Sequence, residues 1–218
     1  MIAVLREPAR RLHSAFYFWP QYRRHYGASG DGFLRYVRET LPVLRDCFAE
    51  HGARECARSF EGIDQKYENV YYHADQFFKG AYGLYMDEWL HAFGRRRLLI
   101  LRAEDYWAAT EGTLETVFDF LGVRPLAAVR MHAIAARPVT YLPGSNATFA
   151  ADRKIVNRVR RVPAAEVVRG HAWTRVPERM SMPQEAAQML QRFYAPLNAD
   201  LAAMLGDERF LWKDLMGG

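Results

Sequence analysis

The N-terminal stretch Ile2-Ala3-Val4-Leu5-Arg6-Glu7-Pro8-Ala9-Arg10-Arg11-Leu12-His13-Ser14-Ala15-Phe16 changes period part-way along. Its first residues form a short apolar run, which reads as a strand. Pro8 then stands where the first turn of a helix tolerates a missing N–H. Leu12, Phe16 and Trp19 follow at helical spacing and predict one buried face, interrupted at Pro20. Further on, Leu98-Leu99-Ile100-Leu101 has the length and apolarity of a strand buried on both faces of a parallel sheet. Leu114, Val117, Phe118 and Leu121 then recur on one helical face, closed by Gly122. Helix, strand and helix in that order predict an α/β fold.

The intervening segments are read the same way. Gln21 to Gly32 is polar and rich in Arg, Tyr and Gly, which predicts a loop. Phe33, Leu34, Val37, Leu41 and Leu44 predict a helix from Phe33 to Phe48, broken or bent near Pro42. Ala53 to Tyr72 lacks a clear period and reads as mostly irregular. Ala81, Tyr85, Trp89 and Ala92 predict the buried face of a helix stopping at Gly94, with Arg95-Arg96-Arg97 as a solvated turn. Pro125 to Met180 is basic, polar and proline-containing, hence largely loop. Ser181-Met182-Pro183-Gln184 reads as a capping box opening a last helix. Met189, Leu190 and Phe193 face inward up to a break at Pro196, and Leu197, Leu201, Met204 and Leu205 continue a second helical piece.

A chain of 218 residues suits one domain. No apolar run approaches the ~20 residues that span a bilayer. The net charge is +5, and the only lysines are Lys66, Lys79, Lys154 and Lys213, so arginine supplies nearly all the positive charge. Arginine's planar fork suits phosphate, sulfate and carboxylate. Codon bias in a GC-rich genome would give the same skew. Two cysteines, Cys47 and Cys56, are too few for a metal site and have no redox C-x-x-C spacing. They are a local disulfide in an oxidising compartment or two thiols in a reducing one. Asn146-Ala147-Thr148 is a formal glycosylation sequon. His13, His25, His73, His91 and His132 are scattered, with no partner in sequence that marks a general base.

Arg6-x-Pro8-x-x-Arg11-x-x-Ser14 places an arginine at a strand end and a hydroxyl within the following helix. A strand-end arginine can offer parallel N–H groups to a phosphate, with the serine hydroxyl beside it. The bland alternative is a surface arginine and a helix serine. The segment resembles the 3′-phosphate-binding motif of sulfotransferases that use 3′-phosphoadenosine 5′-phosphosulfate (PAPS). Gly83-Leu84-Tyr85, Trp89-Leu90, Leu98 to Arg102, Glu104-Asp105 and Phe118-Asp119-Phe120-Leu121-Gly122 come in the order seen in Golgi glycan sulfotransferases. Leu5-Arg6-Glu7-Pro8, the Cys47 to Cys56 spacing, Leu101 to Asp105, Ser145-Asn146-Ala147 and Phe193-Tyr194-x-Pro196-x-Asn198 extend the likeness along the whole chain. They resemble the branch of N-acetylgalactosamine 4-sulfate 6-O-sulfotransferases and heparan sulfate sulfotransferases.

The resemblance implies a P-loop-NTPase-like sulfotransferase fold, a parallel sheet flanked by helices. It implies PAPS as co-substrate with no metal, and donor contacts from Arg6 and Ser14. Arg11 adds charge there or faces solvent. The loop before the last helix holds Ser145, Asn146, Arg153 and Lys154, which touch the donor or form an ordinary basic surface. Lys79 is a candidate for the sulfate or carboxylate of an acidic glycan acceptor. A lumenal Golgi enzyme would join Cys47 to Cys56, and would reach the membrane only through an anchor outside these residues. Phe193, Tyr194 and Trp212 read as packing residues instead of adenine stackers.

One family element is absent from the sequence. No Gly-Lys-Thr, Gly-Lys-Ser or Gly-Thr-Thr occurs to hold the 5′-phosphosulfate, and no catalytic residue is identified. The expectation is therefore a single partial domain over 1–218, truncated at the N-terminus, from an enzyme that transfers a sulfuryl group from PAPS to a hydroxyl of a chondroitin- or dermatan-type glycan. The alternative is a sulfotransferase-like protein that binds nucleotide or polyanionic glycan without turnover. A nucleic-acid partner is not expected, because the charge is spread along the chain and no recognised module is present.

Overall fold

The computed structural model describes residues 1–57, 74–135 and 181–213. In chain order they form β1 (Ile2–Leu5), α1 (Pro8–Phe18), α2 (Pro20–Tyr26), α3 (Gly30–His51), α4 (Gly83–Phe93), β2 (Leu99–Arg102), α5 (Ala103–Ala108), α6 (Thr110–Leu121), α7 (Ala128–Ala135) and α8 (Gln184–Leu205). The result is helix-rich α/β. β1 and β2 pair in parallel, Ile2 opposite Leu99 and Leu5 opposite Arg102, so both strands end at the same edge.

Two apolar clusters hold these elements. In the larger, Leu12 and Phe16 of α1 meet Phe33, Tyr36 and Leu41 of α3 and Leu190 and Phe193 of α8. Phe16 lies edge-on to Phe33, with ring centres 5.3 Å apart, and stacks on Tyr36 at 5.5 Å. Such aromatic pairs add specific geometry to the burial itself. The smaller cluster joins Leu5, Met86, Leu98, Leu201, Phe210 and Trp212, and it fastens the sheet to α4, α8 and the C-terminal turn Glu208–Leu211. Gly83 opens α4 against α8: a Cβ there would stand 2.6 Å from the Leu197 carbonyl oxygen, so only glycine permits this approach.

Several expectations are corrected. The stretch read as a loop from Gln21 contains α2, which starts with Pro20 in its first turn and buries Tyr22 and Tyr26. Pro42 and Pro196 lie inside α3 and α8, and neither ends its helix. Buried side chains flank both prolines, Leu41 and Leu44 in α3 and Tyr194 and Leu197 in α8, so tertiary packing outweighs each lost N–H. On α4 the buried residue is Met86, while Trp89 is 41% exposed. Ser181 does not cap α8; its N-cap is Pro183, with no side-chain bond. Leu114, Val117 and Phe118 are half-buried and Leu121 is exposed, because among the described residues α6 packs mainly on α5 and α7. Val4 in β1 is 58% exposed, so the sheet is not covered on both faces among the described residues.

Cys47, near the end of α3, is disulfide-bonded to Cys56, with Cα atoms 6.1 Å apart. The bridge pins the turn through Gly52, whose φ of 83° lies in the left-handed region. In protein made in an oxidising compartment, non-reducing peptide mapping is expected to recover Cys47 and Cys56 in linked peptides. Two alkylatable thiols would contradict it.

Candidate functional site

Parallel strands bring their carboxyl ends together, and α/β proteins place ligand sites at that edge. Arg6 is the first residue beyond β1, and Ala103-Glu104 follow directly on β2. The Tyr82 hydroxyl fixes the Arg6 backbone, donating to the Arg6 carbonyl oxygen at 2.9 Å and accepting from its N–H at 3.4 Å. Glu7 is held just as firmly. Its N–H donates to Glu104 Oε1 at 2.9 Å, and its own carboxylate accepts from the N–H groups of Ala9 and Arg10. The N-terminus of α1 is therefore already capped by a carboxylate, and positive charge at this edge comes from the Arg6 side chain.

The Arg6 guanidinium is half-buried and lies over the Trp107 ring, 5.2 Å from its centre. Burial lowers its pKa, against the opposing pull of Glu104 and Glu7. Arginine nevertheless stays charged at neutral pH. Its Nε–H is buried without a hydrogen-bond partner among the described residues. A buried, unmatched donor on a cation costs stability unless an acceptor matches it, and a phosphate oxygen is an acceptor of that kind. The Arg6 side chain is thus chemically compatible with an anion.

Ser14 lies exposed on α1, two turns past Pro8, with Leu12 and Phe16 buried on either side of it in sequence. Arg11 donates to the side-chain and main-chain oxygens of Gln76, the first at 3.3 Å, and so ties α1 to the helical turn 74–78. Lys79 pairs with Asp75 at 2.7 Å and is half-exposed. Its neighbour Gly80 abuts Pro8, where an added Cβ would meet the Pro8 Cβ at 3.2 Å, which places the Lys79 turn beside the start of α1. Ser145, Asn146, Arg153 and Lys154 fall outside the described residues. Phe193, Tyr194 and Trp212 are buried, as packing residues should be.

The sequence reading passed over Tyr82, Trp107 and the bracing role of Glu104. Glu104 also accepts from Trp212 Nε1 at 3.1 Å, so one carboxylate joins the α1 turn, the β2 edge and the C-terminal turn. A usable signal was present: two parallel strands, each followed at once by charged residues, must bring those residues to one edge.

Over 215 residues the chain is 29% identical to carbohydrate sulfotransferase 15 of Homo sapiens, a match covering 98% of this chain. The chain is thus similar to carbohydrate sulfotransferases along nearly its whole length. The Mus musculus and Rattus norvegicus proteins of the same name are 28% and 27% identical over the same length. The chain spans 31% of the length of these sulfotransferases. No family model and no solved structure matches it. The similarity covers β1, α1 and the Arg6–Ser14 segment together with α8, so the edge described above lies within the region shared with these transferases.

Among the described residues no group of His, Cys, Asp and Glu is arranged to hold a metal ion, and no helix is long and apolar enough to cross a membrane.

Proposed function

We propose that this chain grips the 3′-phosphate end of PAPS within a carbohydrate sulfotransferase of P-loop-NTPase-like fold, with 1–218 as one partial domain. The observation that carries the reading is Arg6, whose main chain is clamped by Tyr82 while its buried Nε–H awaits an acceptor. Ser14 adds a hydroxyl from the next helix, and Ser145, Asn146, Arg153 and Lys154, which precede α8 in sequence, add donors. Arg11 acts indirectly, by holding α1 on Gln76.

The reaction is in-line transfer of the sulfuryl group to a sugar hydroxyl, breaking the sulfur–oxygen bond to the 5′-phosphate and releasing the hydroxyl proton. The contribution of this chain is positional: a fixed cation at the far end of the nucleotide orients the donor. A sulfated or acidic glycan such as chondroitin or dermatan sulfate is the acceptor, with Lys79 a candidate contact, and the Golgi lumen is the compartment. The disulfide supports an oxidising location. A second reading is binding of nucleotide or polyanionic glycan without turnover. Transfer of labelled sulfate to chondroitin by the purified chain would eliminate that second reading.

Arg6→Ala removes a charge-assisted pair worth ~1.5–3 kcal/mol, so affinity for 3′-phosphoadenosine 5′-phosphate should fall roughly 10- to 100-fold. Ser14→Ala should cost less. Arg124→Ala, at an exposed position between α6 and α7, controls for general charge. Calorimetry compares the three, and equal losses for Arg6→Ala and Arg124→Ala would remove the proposal's support.

A further inference from the structure

Arg6 is not alone in presenting an unmatched polar atom. Seven residues further on, His13 is 7% exposed, and its Nε2 is buried without a hydrogen-bond partner among the described residues. One helical turn beyond, the Tyr17 hydroxyl is buried and also without a partner among them. His13 and Tyr17 are neighbours. The Arg6 charge acts on the His13 ring, and the His13 and Tyr17 rings touch edge-on with centres 4.9 Å apart. On its α3 side His13 meets the apolar ring of Phe33 at 4.8 Å.

Buried polar atoms elsewhere are of both kinds: the Nε atoms of Arg11 and Arg23 also lack a partner among the described residues, whereas the hydroxyls and the indole close by are paired. Tyr82 and Tyr194 each deliver their hydroxyl to a main-chain carbonyl, and Trp212 delivers its N–H to Glu104. Buried side-chain polar atoms are ordinarily paired, and leaving one unmatched destabilises the fold. Within α1 and the turn before it, Arg6, His13 and Tyr17 are therefore three of four side chains, with Arg11, that have a buried polar atom lacking a partner among the described residues. All three side chains can donate, and an acceptor-rich ligand would match them at once.

We infer that His13 and Tyr17 are binding residues that extend the Arg6 site inward along α1, so that a phosphate-type oxyanion seated on Arg6 also receives hydrogen bonds from the imidazole and the phenol. This rests on the donor-binding reading of Arg6 and deepens it. Ser14 lies on the exposed side of the same helix, so the anion would be approached from the wet side by Ser14 and from the packed side by His13 and Tyr17.

Two apolar replacements of similar shape separate binding from structure. Tyr17→Phe deletes only the unmatched hydroxyl, and His13→Leu deletes the unmatched ring nitrogen. Melting of the full chain without ligand at pH 7 should show each variant as stable as the wild type or more so, since each removes a buried unmatched group. Calorimetry with 3′-phosphoadenosine 5′-phosphate should show affinity lower by about 3- to 10-fold for each variant. A lower melting temperature in both variants would mean that an ordered water or another part of the chain holds these atoms, and would overturn the inference. Unchanged affinity in both would overturn it too, while loss of binding in Arg6→Ala alone would leave the donor-site reading standing. Failure of the wild type to bind would overturn both.

Discussion

Trp212→Ala is expected to lower the unfolding free energy by about 3–5 kcal/mol, the cost of emptying a fully buried aromatic site. Trp212 is wholly buried, with Phe210 at 5.6 Å and Tyr82 at 6.3 Å between ring centres. Its backbone has φ 50°, the left-handed region that a bulky residue enters only when packing holds it there. Its N–H supports Glu104, and Glu104 supports the Glu7 N–H beside Arg6, so the loss reaches the candidate site. Affinity for 3′-phosphoadenosine 5′-phosphate should fall along with stability. Trp212→Phe keeps most of the ring and should lose far less. Urea unfolding followed by circular dichroism measures both, and a loss below about 1 kcal/mol for Trp212→Ala would contradict this account of the second core.

Acid should act through His13. Burial, reinforced by the Arg6 charge, pushes its pKa down from 6.5 to about 4. The folded protein therefore binds fewer protons at this ring than the unfolded chain does. Its contribution to stability is complete above pH 6.5 and is lost as pH falls from there to about 4. The loss amounts to roughly 3 kcal/mol. His13→Leu cannot titrate, so its stability should decline less over that range by about that amount, whereas the carboxylates act alike in both proteins. Urea unfolding at pH 7, 5.5 and 4 decides it, and parallel pH profiles for wild type and variant would show that His13 is not held neutral.

What the sequence disclosed divides along physical lines. β1, α1, α4 and β2 were legible because each has a sharp period and a clear stop, as with Gly94 after α4. α2 was missed because its Arg, Tyr and Gly content resembles a loop, although the Tyr22 and Tyr26 pair, one turn apart, was a signal for a buried face. Pro196 was read as a break because a local rule was applied where long-range packing of Tyr194 and Leu197 prevails. Trp89 was placed inside by its helical spacing from Ala81 and Tyr85, yet the register of α4 turns Met86 inward instead.

At the site, Arg6 and Ser14 could be named because the sulfotransferase motif they resemble is local, running from a strand end into the next helix. Tyr82 lies far from Arg6 in sequence, and no period connects them. Whether His13 and Tyr17 have partners is likewise a question of packing. The sequence shows the residue types, and only the fold shows which polar atoms go unmatched.

The central claim is recognition of a 3′-phosphate at the carboxyl edge of the β1–β2 pair. Calorimetric titration of the chain with adenosine 3′,5′-bisphosphate and with adenosine 2′,5′-bisphosphate tests it most directly, because the two ligands differ only in where one phosphate sits. The account predicts a preference of about 10-fold or more for the 3′,5′ isomer, the size expected of one charge-assisted phosphate contact. Equal affinity for the two isomers, falling steeply with salt as for a generic polyanion binder, would contradict it.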